Sequence, residues 1–226
     1  MKIAVLTGAG ISAESGLKTF RDSDGLWEGH DVMQVATPEG FARNPALVLE
    51  FYNQRRRQLL EVQPNAAHLA LAELEQNHEV VVITQNVDDL HERAGSSRVV
   101  HLHGELLKVR SSDREDLVLD WQTDLNLGDL CEHKSQLRPH IVWFGEAVPM
   151  MDVATQLVEA SDIIIIVGTS MQVYPAAGLI EYAPTHSKVY FVDPNPSLSS
   201  SEKITVFAEN ATTGISKVVS EIKQNF

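Results

Sequence analysis

Lys2-Ile-Ala-Val-Leu-Thr-Gly-Ala-Gly10 is a short apolar run that passes directly into a glycine-rich turn. Three further runs, composed mostly of Val and Ile, occur at Glu79–Thr84, Asp162–Gly168 and Lys188–Asp193. Short runs that are apolar on both faces are typical of parallel strands covered by helices on both sides. The sequence therefore predicts an α/β fold with a doubly wound parallel sheet.

Helical patterns lie between these strands. Asn65–Asn77 and Met151–Ala160 carry apolar residues at helical spacing. A further helix is expected around Phe41–Leu60, in a region without any predicted strand.

Residues 18–62 and 106–140 do not follow the alternation of strand and helix, and the second stretch reads as polar and irregular. We expect these two insertions to fold together as a smaller second lobe. The large lobe is then made from about residues 1–17, 63–105 and 141–226 of a single domain, and the cleft between lobes is a common place for a ligand.

The composition limits the classes of partner. The chain has 226 residues and a formal net charge of −13 at pH 7. A chain this acidic repels nucleic acid and anionic membranes, so neither is an expected partner. No targeting segment is recognised, and the longest apolar run, Ile163–Val167, is far shorter than a membrane span. A single cysteine suits a reducing cytoplasm, which is the predicted location.

Polar residues follow each predicted strand, at the edge where open α/β sheets bind ligands. The segments concerned are Gly8–Gly16, Gln85–Asp89, Gly168–Ser170 and Asp193. Gly8-x-Gly10-x-x-Ala13 resembles a dinucleotide fingerprint, although it could equally be only a tight turn. The acidic residue expected about 20 residues further on in dehydrogenases is missing. Asp193 is the better candidate for the adenosine ribose and favours NAD over NADP; its alternative role is a strand-end turn beside Pro194.

Several motifs together resemble those of the sirtuins, NAD-dependent protein lysine deacylases, and most closely the bacterial CobB-type enzymes. The matching segments are Gly8–Gly16 with Thr19-Phe20-Arg21, Thr84–His91, His101-Leu-His-Gly104, Val142–Glu146 and Gly168–Ser170. The resemblance runs from about residue 3 to the C-terminus. It implies a Rossmann-like large lobe with a small lobe.

The resemblance also implies the reaction. An acyl group passes from a protein lysine to the ADP-ribose of NAD, which gives nicotinamide and O-acyl-ADP-ribose. His103 matches the family's base and Asn86 a second catalytic residue, whereas His101 competes with His103 on sequence grounds alone. The alternatives are an NAD or ADP-ribose sensor and a mono-ADP-ribosyltransferase.

The resemblance implies a long set of cofactor-binding residues. They are Gly8, Ala9, Gly10, Ile11, Ser12, Ala13, Glu14, Phe20, Arg21, Trp27, Gln85, Asn86, Val87, Asp88, Gly168, Thr169, Ser170, Asp193, Pro194, Asn195 and Ala211.

Tyr52 and Arg55 stand three residues apart, which places them on one face of a helix. They resemble the Tyr-x-x-Arg pair with which class III sirtuins bind acidic acyl groups such as succinyl and malonyl. The alternative is a solvated basic helix face. For the peptide, the resemblance implies pairing of its backbone with the chain. The implied substrate-binding residues are Val142, Phe144, Gly145, Glu146 and Val173.

The small lobe departs from the family pattern, because most sirtuins hold a structural zinc on four cysteines and this chain has Cys131 alone. Four ligands are needed for a closed site. Asp129, His133 and His140 could complete a set with Cys131, but we predict no metal site. The lobe is expected to be held by an apolar cluster. Its expected members are Leu119, Trp121, Leu125, Leu127 and Leu130.

Overall fold

The computed structural model describes residues 1–18, 26–27 and 29–225, the pair 26–27 by its backbone alone. Within these residues the strands are β1 (Lys2–Thr7), β2 (Leu26–Trp27), β3 (His30–Asp31), β4 (Glu79–Thr84), β5 (Val99–His101), β6 (Gly104–Ser111), β7 (Val118–Asp120), β8 (Leu137–Ile141), β9 (Ile163–Val167), β10 (Lys188–Val192) and β11 (Ile204–Phe207). The α-helices are α1 (Gly10–Ala13), α2 (Val32–Val35), α3 (Pro38–Arg43), α4 (Pro45–Glu61), α5 (Ala66–Glu73), α6 (Leu90–Arg93), α7 (Met151–Glu159) and α8 (Ala211–Asn225). Two 3₁₀ helices span Leu74–Gln76 and Ala176–Tyr182.

The large sheet has the order β11-β10-β9-β1-β4-β5, and all of its strand pairs are parallel. β1 lies at its centre, and successive β1 side chains point to opposite faces. Ile3 and Val5 join a core with α5 and α8, whereas Ala4 and Leu6 join a second core with α7 and the 3₁₀ helix Ala176–Tyr182. The predicted doubly wound α/β fold is confirmed.

All four predicted strands are present as β1, β4, β9 and β10, and the helices predicted at Asn65–Asn77 and Met151–Ala160 begin within a residue of their expected start. Sequence analysis missed the sheet's two edge strands, β5 and β11. β5 has only three residues and ends in His101, and Thr205 interrupts the four residues of β11, so neither carries the continuous apolar run of a central strand.

The polarity of the second insertion predicts an irregular stretch, and this prediction is wrong. The insertion contains an antiparallel sheet of order β7-β6-β8. The expected absence of strands in the first insertion is also wrong, because β2 and β3 form a short antiparallel pair. The single helix expected around Phe41–Leu60 is divided into α3 and α4. Asn44 separates them and caps α4, whose first residue is Pro45.

The small antiparallel sheet is held mainly by the packing of α4 on it, and only in part by the apolar cluster that the sequence predicts. Leu125 is fully buried, and its backbone exchanges hydrogen bonds with the side chain of Asn53 on α4. Leu119, Leu127 and Leu130, however, are exposed, so the prediction of a Leu-rich cluster is wrong for these three. The division into two lobes at the stated boundaries stays a prediction. In the part of the chain described, no helix has the length and apolar character to cross a bilayer.

Candidate active site

The loops that follow β1 and β9 pack tightly against each other at the carboxyl edge of the sheet. Gly10 N donates to Gly168 O over 2.8 Å, and Gly168 has a φ of +65°. A Cβ on Gly10 would lie 2.6 Å from Gly168 Cα, and one on Gly168 would lie 2.2 Å from Ile11 N. Glycine is therefore required at both positions for the two loops to meet.

A cavity of about 320 Å³ opens beside these loops and brings most of the predicted site residues together. Those that line it are Gly8, Ala9, Gly10, Ser12, Tyr52, Arg55, Gln85, Asn86, Val87, Asp88, His103, Val142, Phe144, Gly145, Glu146, Gly168, Thr169, Ser170 and Val173. The residues predicted to bind the cofactor, the acyl group and the peptide therefore line one continuous cavity.

A smaller cavity of about 110 Å³ shares Gly10 and Gly168 with the first and extends towards α8. The predicted residues that line it are Ala13, Glu14, Pro194 and Ala211. Glu14 also accepts hydrogen bonds from Thr212 N and Oγ1, so it fixes the start of α8 against the β1 loop.

Among the described residues, Ile11, Asp193 and Asn195 line neither cavity. Ile11 is a fully buried core residue, and Asp193 is buried with Oδ1 accepting from Asn195 N at 2.8 Å. The Asp193 turn that sequence analysis offered as an alternative is thus present. Phe20 and Arg21 lie outside the described residues, as does the side chain of Trp27.

His103 lines the large cavity. Its Nδ1 is 3.0 Å from the carbonyl oxygen of Gln85. A carbonyl only accepts, so Nδ1 carries the proton, and Nε2 of the neutral ring is left as an acceptor. Burial lowers the pKa of His103, and the bond to the Gln85 carbonyl opposes that shift without reversing it. The ring is therefore neutral and able to act as a base at neutral pH.

His101 occupies a different environment and does not line the cavity. Its Nδ1 is 3.1 Å from Asn86 O, and its Nε2 is 2.7 Å from Glu92 Oε1. The two histidines that compete in the sequence are therefore separated by the structure: His103 reaches the cavity, whereas His101 connects the loop after β4 to α6.

A chain of hydrogen bonds links the loops after β1 and β4. Asn86 Nδ2 donates to Gly8 O and, over 3.3 Å, to Ser12 Oγ, which donates to Asp88 Oδ2. Asp88 Oδ1 also accepts from Leu90 N, so Asp88 caps the start of α6 as the sequence indicates. Burial raises the pKa of Asp88 to about 6, although the Ser12 and Leu90 bonds oppose the shift. This network fixes the orientation of the Asn86 amide at the cavity wall.

Tyr52 and Arg55 both line the cavity from α4. Arg55 is 8% exposed, its Nη1 donates to Phe51 O at 2.6 Å, and its Cζ lies 3.3 Å from the centroid of the Phe51 ring. Tyr52 is fully buried, and its hydroxyl accepts from Trp143 Nε1 at 3.0 Å. The alternative of a solvated basic face does not apply to this pair; it applies to Arg57, which pairs with acidic residues at the surface.

Sequence reasoning missed Trp143 and the ion cluster behind it. Both Glu146 oxygens accept from Arg138, Oε1 also accepts from Arg110, and Oε2 accepts from Trp143 N at 2.7 Å. The guanidinium of Arg138 also lies 3.3 Å from the centroid of the Trp143 ring. The carboxylate of Glu146, predicted to bind substrate, is thus engaged in holding its own segment in shape. The only sign of these residues in the sequence is that Trp143 and Glu146 belong to the motif Val142–Glu146.

The segment predicted to pair with a peptide has most of its amides engaged internally. Val142 N donates to His103 O and Phe144 N to Ala36 O, and Glu146 N donates to Trp143 O. Pairing with a peptide backbone along this segment would therefore rely on its carbonyl oxygens. Phe144 and Tyr174 are 46% and 70% exposed beside the cavity.

Metal ligands are not grouped in the described part of the chain, where no three His, Cys, Asp or Glu side chains could hold one ion. Cys131 is a buried free thiol 3.5 Å from Ser111 Oγ.

The Sir2 family profile matches residues 8–175. A Helicobacter pylori protein named NAD-dependent protein deacylase is 65% identical over 192 residues, covering 85% of this chain and 84% of its own. A Bacteroides thetaiotaomicron protein of the same name is 54% identical over 230 residues, covering 98% and 96%.

Solved structures agree with these relatives. The crystal structure of a Sir2 homologue in complex with NAD has a TM-score of 0.88 at 38% identity, covering 99% of this chain and 90% of that one. A Sir2 protein bound to acetylated peptide has a TM-score of 0.80 at 29% identity, covering 98% and 93%.

Proposed function

This chain belongs to the Sir2 family, and on that premise we propose that it is an NAD-dependent protein-lysine deacylase. It removes an acyl group from a lysine side chain and yields nicotinamide and O-acyl-ADP-ribose. The observation that carries the proposal is the shared cavity, into which the neutral His103 ring, the oriented Asn86 amide and the Tyr52–Arg55 pair all open.

The chain's own residues fit NAD. Two cavities that share Gly10 and Gly168 suit an elongated molecule, with its nicotinamide half in the larger cavity and its adenosine half towards α8. Asn86 and Asp88 hold the nicotinamide ribose side, and Asp193 is assigned to the adenosine side. When bound, NAD supplies a ribosyl carbon with a leaving group and the ribose hydroxyls that receive the acyl group.

His103 is the general base. Its Nδ1–H bond to the Gln85 carbonyl fixes the tautomer and leaves Nε2 as the nitrogen that can accept a proton. Because burial lowers its pKa, the ring is in the proton-accepting form at neutral pH and takes the proton of a ribose hydroxyl. Asn86 orients the reacting groups beside it and is itself held by Gly8 and Ser12.

Arg55 and Tyr52 extend the acyl range from acetyl to succinyl and malonyl. Moving the terminal carboxylate of such an acyl group out of water costs several kcal/mol of free energy unless a hydrogen-bond donor compensates it. A guanidinium can compensate it with two parallel hydrogen bonds. Burial raises the pKa of Tyr52 far above neutral pH, so the phenol keeps its proton and can donate to an acyl carboxylate.

The proposed partners are acylated lysine-containing proteins, which lie across Val142–Glu146 and Val173. Nucleic acid and membranes are not proposed as partners, because the net charge is −13. We place the reaction in the cytoplasm, where a lone free thiol such as Cys131 persists. We also propose that the small lobe works without the family's structural zinc.

The experiment compares the wild-type chain with His103→Ala and His101→Ala on acetyl-, succinyl- and unmodified-lysine peptides with NAD. Acyl loss is followed by mass and NAD affinity by calorimetry. We expect His103→Ala to abolish acyl removal while NAD still binds, and His101→Ala to retain measurable turnover. NAD binding without any acyl removal by the wild type would indicate a sensor, and a gain of ADP-ribose mass on the peptide would indicate a transferase. Equal loss in both variants, with folding intact, would contradict the role of His103.

A further inference from the structure

His101 and His103 both lie against the loop after β4, yet their rings have different partners. The two Nδ1 atoms face the carbonyls of successive residues, Asn86 for His101 and Gln85 for His103. The Nε2 atom of His101 meets Glu92 on α6, whereas His103 reaches the cavity. His101 is thus bonded at both ring nitrogens, outside the catalytic cavity.

The chemistry of these partners fixes the protonation of His101. A backbone carbonyl and an ionised carboxylate only accept hydrogen bonds, so each bond requires a proton on the ring nitrogen. A neutral imidazole carries one such proton and an imidazolium carries two. The Nε2–Oε1 distance of 2.7 Å is in the range of a charge-assisted bond.

We propose that His101 is an imidazolium that joins Glu92 of α6 to the carbonyl of Asn86, and that this link positions Asn86 and Asp88 for NAD. The positioning role rests on the proposed function. His101 touches no substrate in this scheme; it acts through the backbone of Asn86, whose amide side chain lines the cavity.

The surrounding charges agree with a cationic His101. Burial alone lowers the pKa of the ring, but the bond to Glu92, its charge and the Asn86 carbonyl raise it overall. The charged and titratable groups around His101 and Glu92 include Glu105 and Lys108 of β6, Asp88 of the loop after β4, and His91 of α6. The His101 charge lowers the pKa of the buried Asp88 and so favours its ionised form at neutral pH.

The decisive variant is Glu92→Leu, which removes both the acceptor oxygens and the charge. Glu92 is 40% exposed, so the change is tolerable for folding. The ring then keeps its bond to the Asn86 carbonyl but loses its link to α6. Glu92→Gln is the conservative partner, because its amide can accept from a cationic ring or donate to Nε2 of a neutral one. We expect NAD affinity to weaken roughly tenfold in Glu92→Leu and to stay closer to the wild-type value in Glu92→Gln.

The matched control is Glu132→Leu, the same substitution beside a histidine that is 50% exposed at the surface. It should leave NAD affinity unchanged. Calorimetry gives the affinities, and each variant is compared with the wild type under the same conditions. If Glu92 acted only by packing, leucine would replace it and Glu92→Leu would leave NAD affinity unchanged.

Nitrogen-resolved NMR of the free wild-type protein tests the protonation directly and needs no turnover. Because the pKa of His101 is raised and that of His103 is lowered, we expect His101 to keep its second ring proton to a higher pH than His103, and to lose it at a lower pH in both Glu92 variants than in the wild type. A His101 ring that loses its second proton no later than His103, or an NAD affinity unchanged in Glu92→Leu, would overturn the proposal. A wild-type chain that binds no NAD would instead overturn the proposed function, and the positioning role with it, whatever the NMR shows.

Discussion

Replacing Arg55 with methionine removes a guanidinium from the cavity wall while keeping the length of an apolar side chain on α4. Arg55 is 8% exposed, so a succinyl carboxylate bound beside it would be poorly hydrated and would depend on the guanidinium for hydrogen bonds. Leaving such a charge without its partner costs about 2–4 kcal/mol, which corresponds to roughly 30- to 800-fold in kcat/KM. An acetyl group presents no charge to this residue, so its turnover should change far less.

The assay measures kcat/KM for succinyl- and acetyl-lysine peptides of one sequence, and the ratio of the two is the result, since damage to folding or NAD binding cancels in it. Arg57→Met is the matched control. It lies two residues further along α4, is 48% exposed and pairs with Glu50 and Asp124 at the surface, so the ratio should not change. Tyr52→Phe should lower the ratio less, although it also removes the acceptor of the Trp143 indole. A flat ratio in Arg55→Met would refute the acyl-binding role of Arg55.

Burial lowers the pKa of His68 to about 4, so the unfolded chain takes up a proton at higher pH than the folded one, and stability should fall as pH drops from about 6.5 towards 4, with His68 contributing up to roughly 3 kcal/mol. Urea unfolding across this range measures it, and His68→Gln should reduce the slope without abolishing it, because burial also lowers the pKa of His91; an unchanged slope would contradict the assignment. Glu146→Ala leaves the nearly buried Arg110 and Arg138 without their shared carboxylate and should cost about 3–5 kcal/mol of unfolding free energy, whereas a loss below about 1 kcal/mol would show that the cluster is dispensable. Elemental analysis should find less than one zinc per chain, a chelator should change neither melting temperature nor turnover, and Cys131→Ser should be nearly silent; stoichiometric zinc that leaves together with structure would refute this.

The central sheet could be predicted from sequence because its inner strands are buried on both faces. Ile3, Val80 and Ile163, for example, are 4% exposed or less, and such residues form runs that need no knowledge of distant contacts. The glycine loop and the segment around Asn86 follow from where those strands end. Local pattern therefore located one half of the candidate site.

The small sheet could not be predicted in the same way, because its stability depends on pairs that are distant in sequence. Arg110 and Arg138 lie on β6 and β8 and are nearly buried, yet in sequence they indicate a polar, irregular stretch. Their shared contact with Glu146, which is distant in sequence from Arg110, shows that they are structural residues. Trp143 could not be predicted for the same reason, because its partner Tyr52 is distant in sequence and its ring also contacts Arg138.

The two histidines show a third limit. In sequence His101 and His103 differ by position alone, and resemblance to a family was needed to choose between them. The structure separates them by hydrogen-bond partners, since Glu92 is nine residues away from His101 and on a different element.

The most direct test of the account follows all products of one reaction by mass, with the wild-type chain, NAD and an acetyl-lysine peptide. We expect free lysine peptide, nicotinamide and O-acetyl-ADP-ribose in equal amounts. Free acetate formed while NAD remains intact, or reduced NAD with the peptide unchanged, would contradict it.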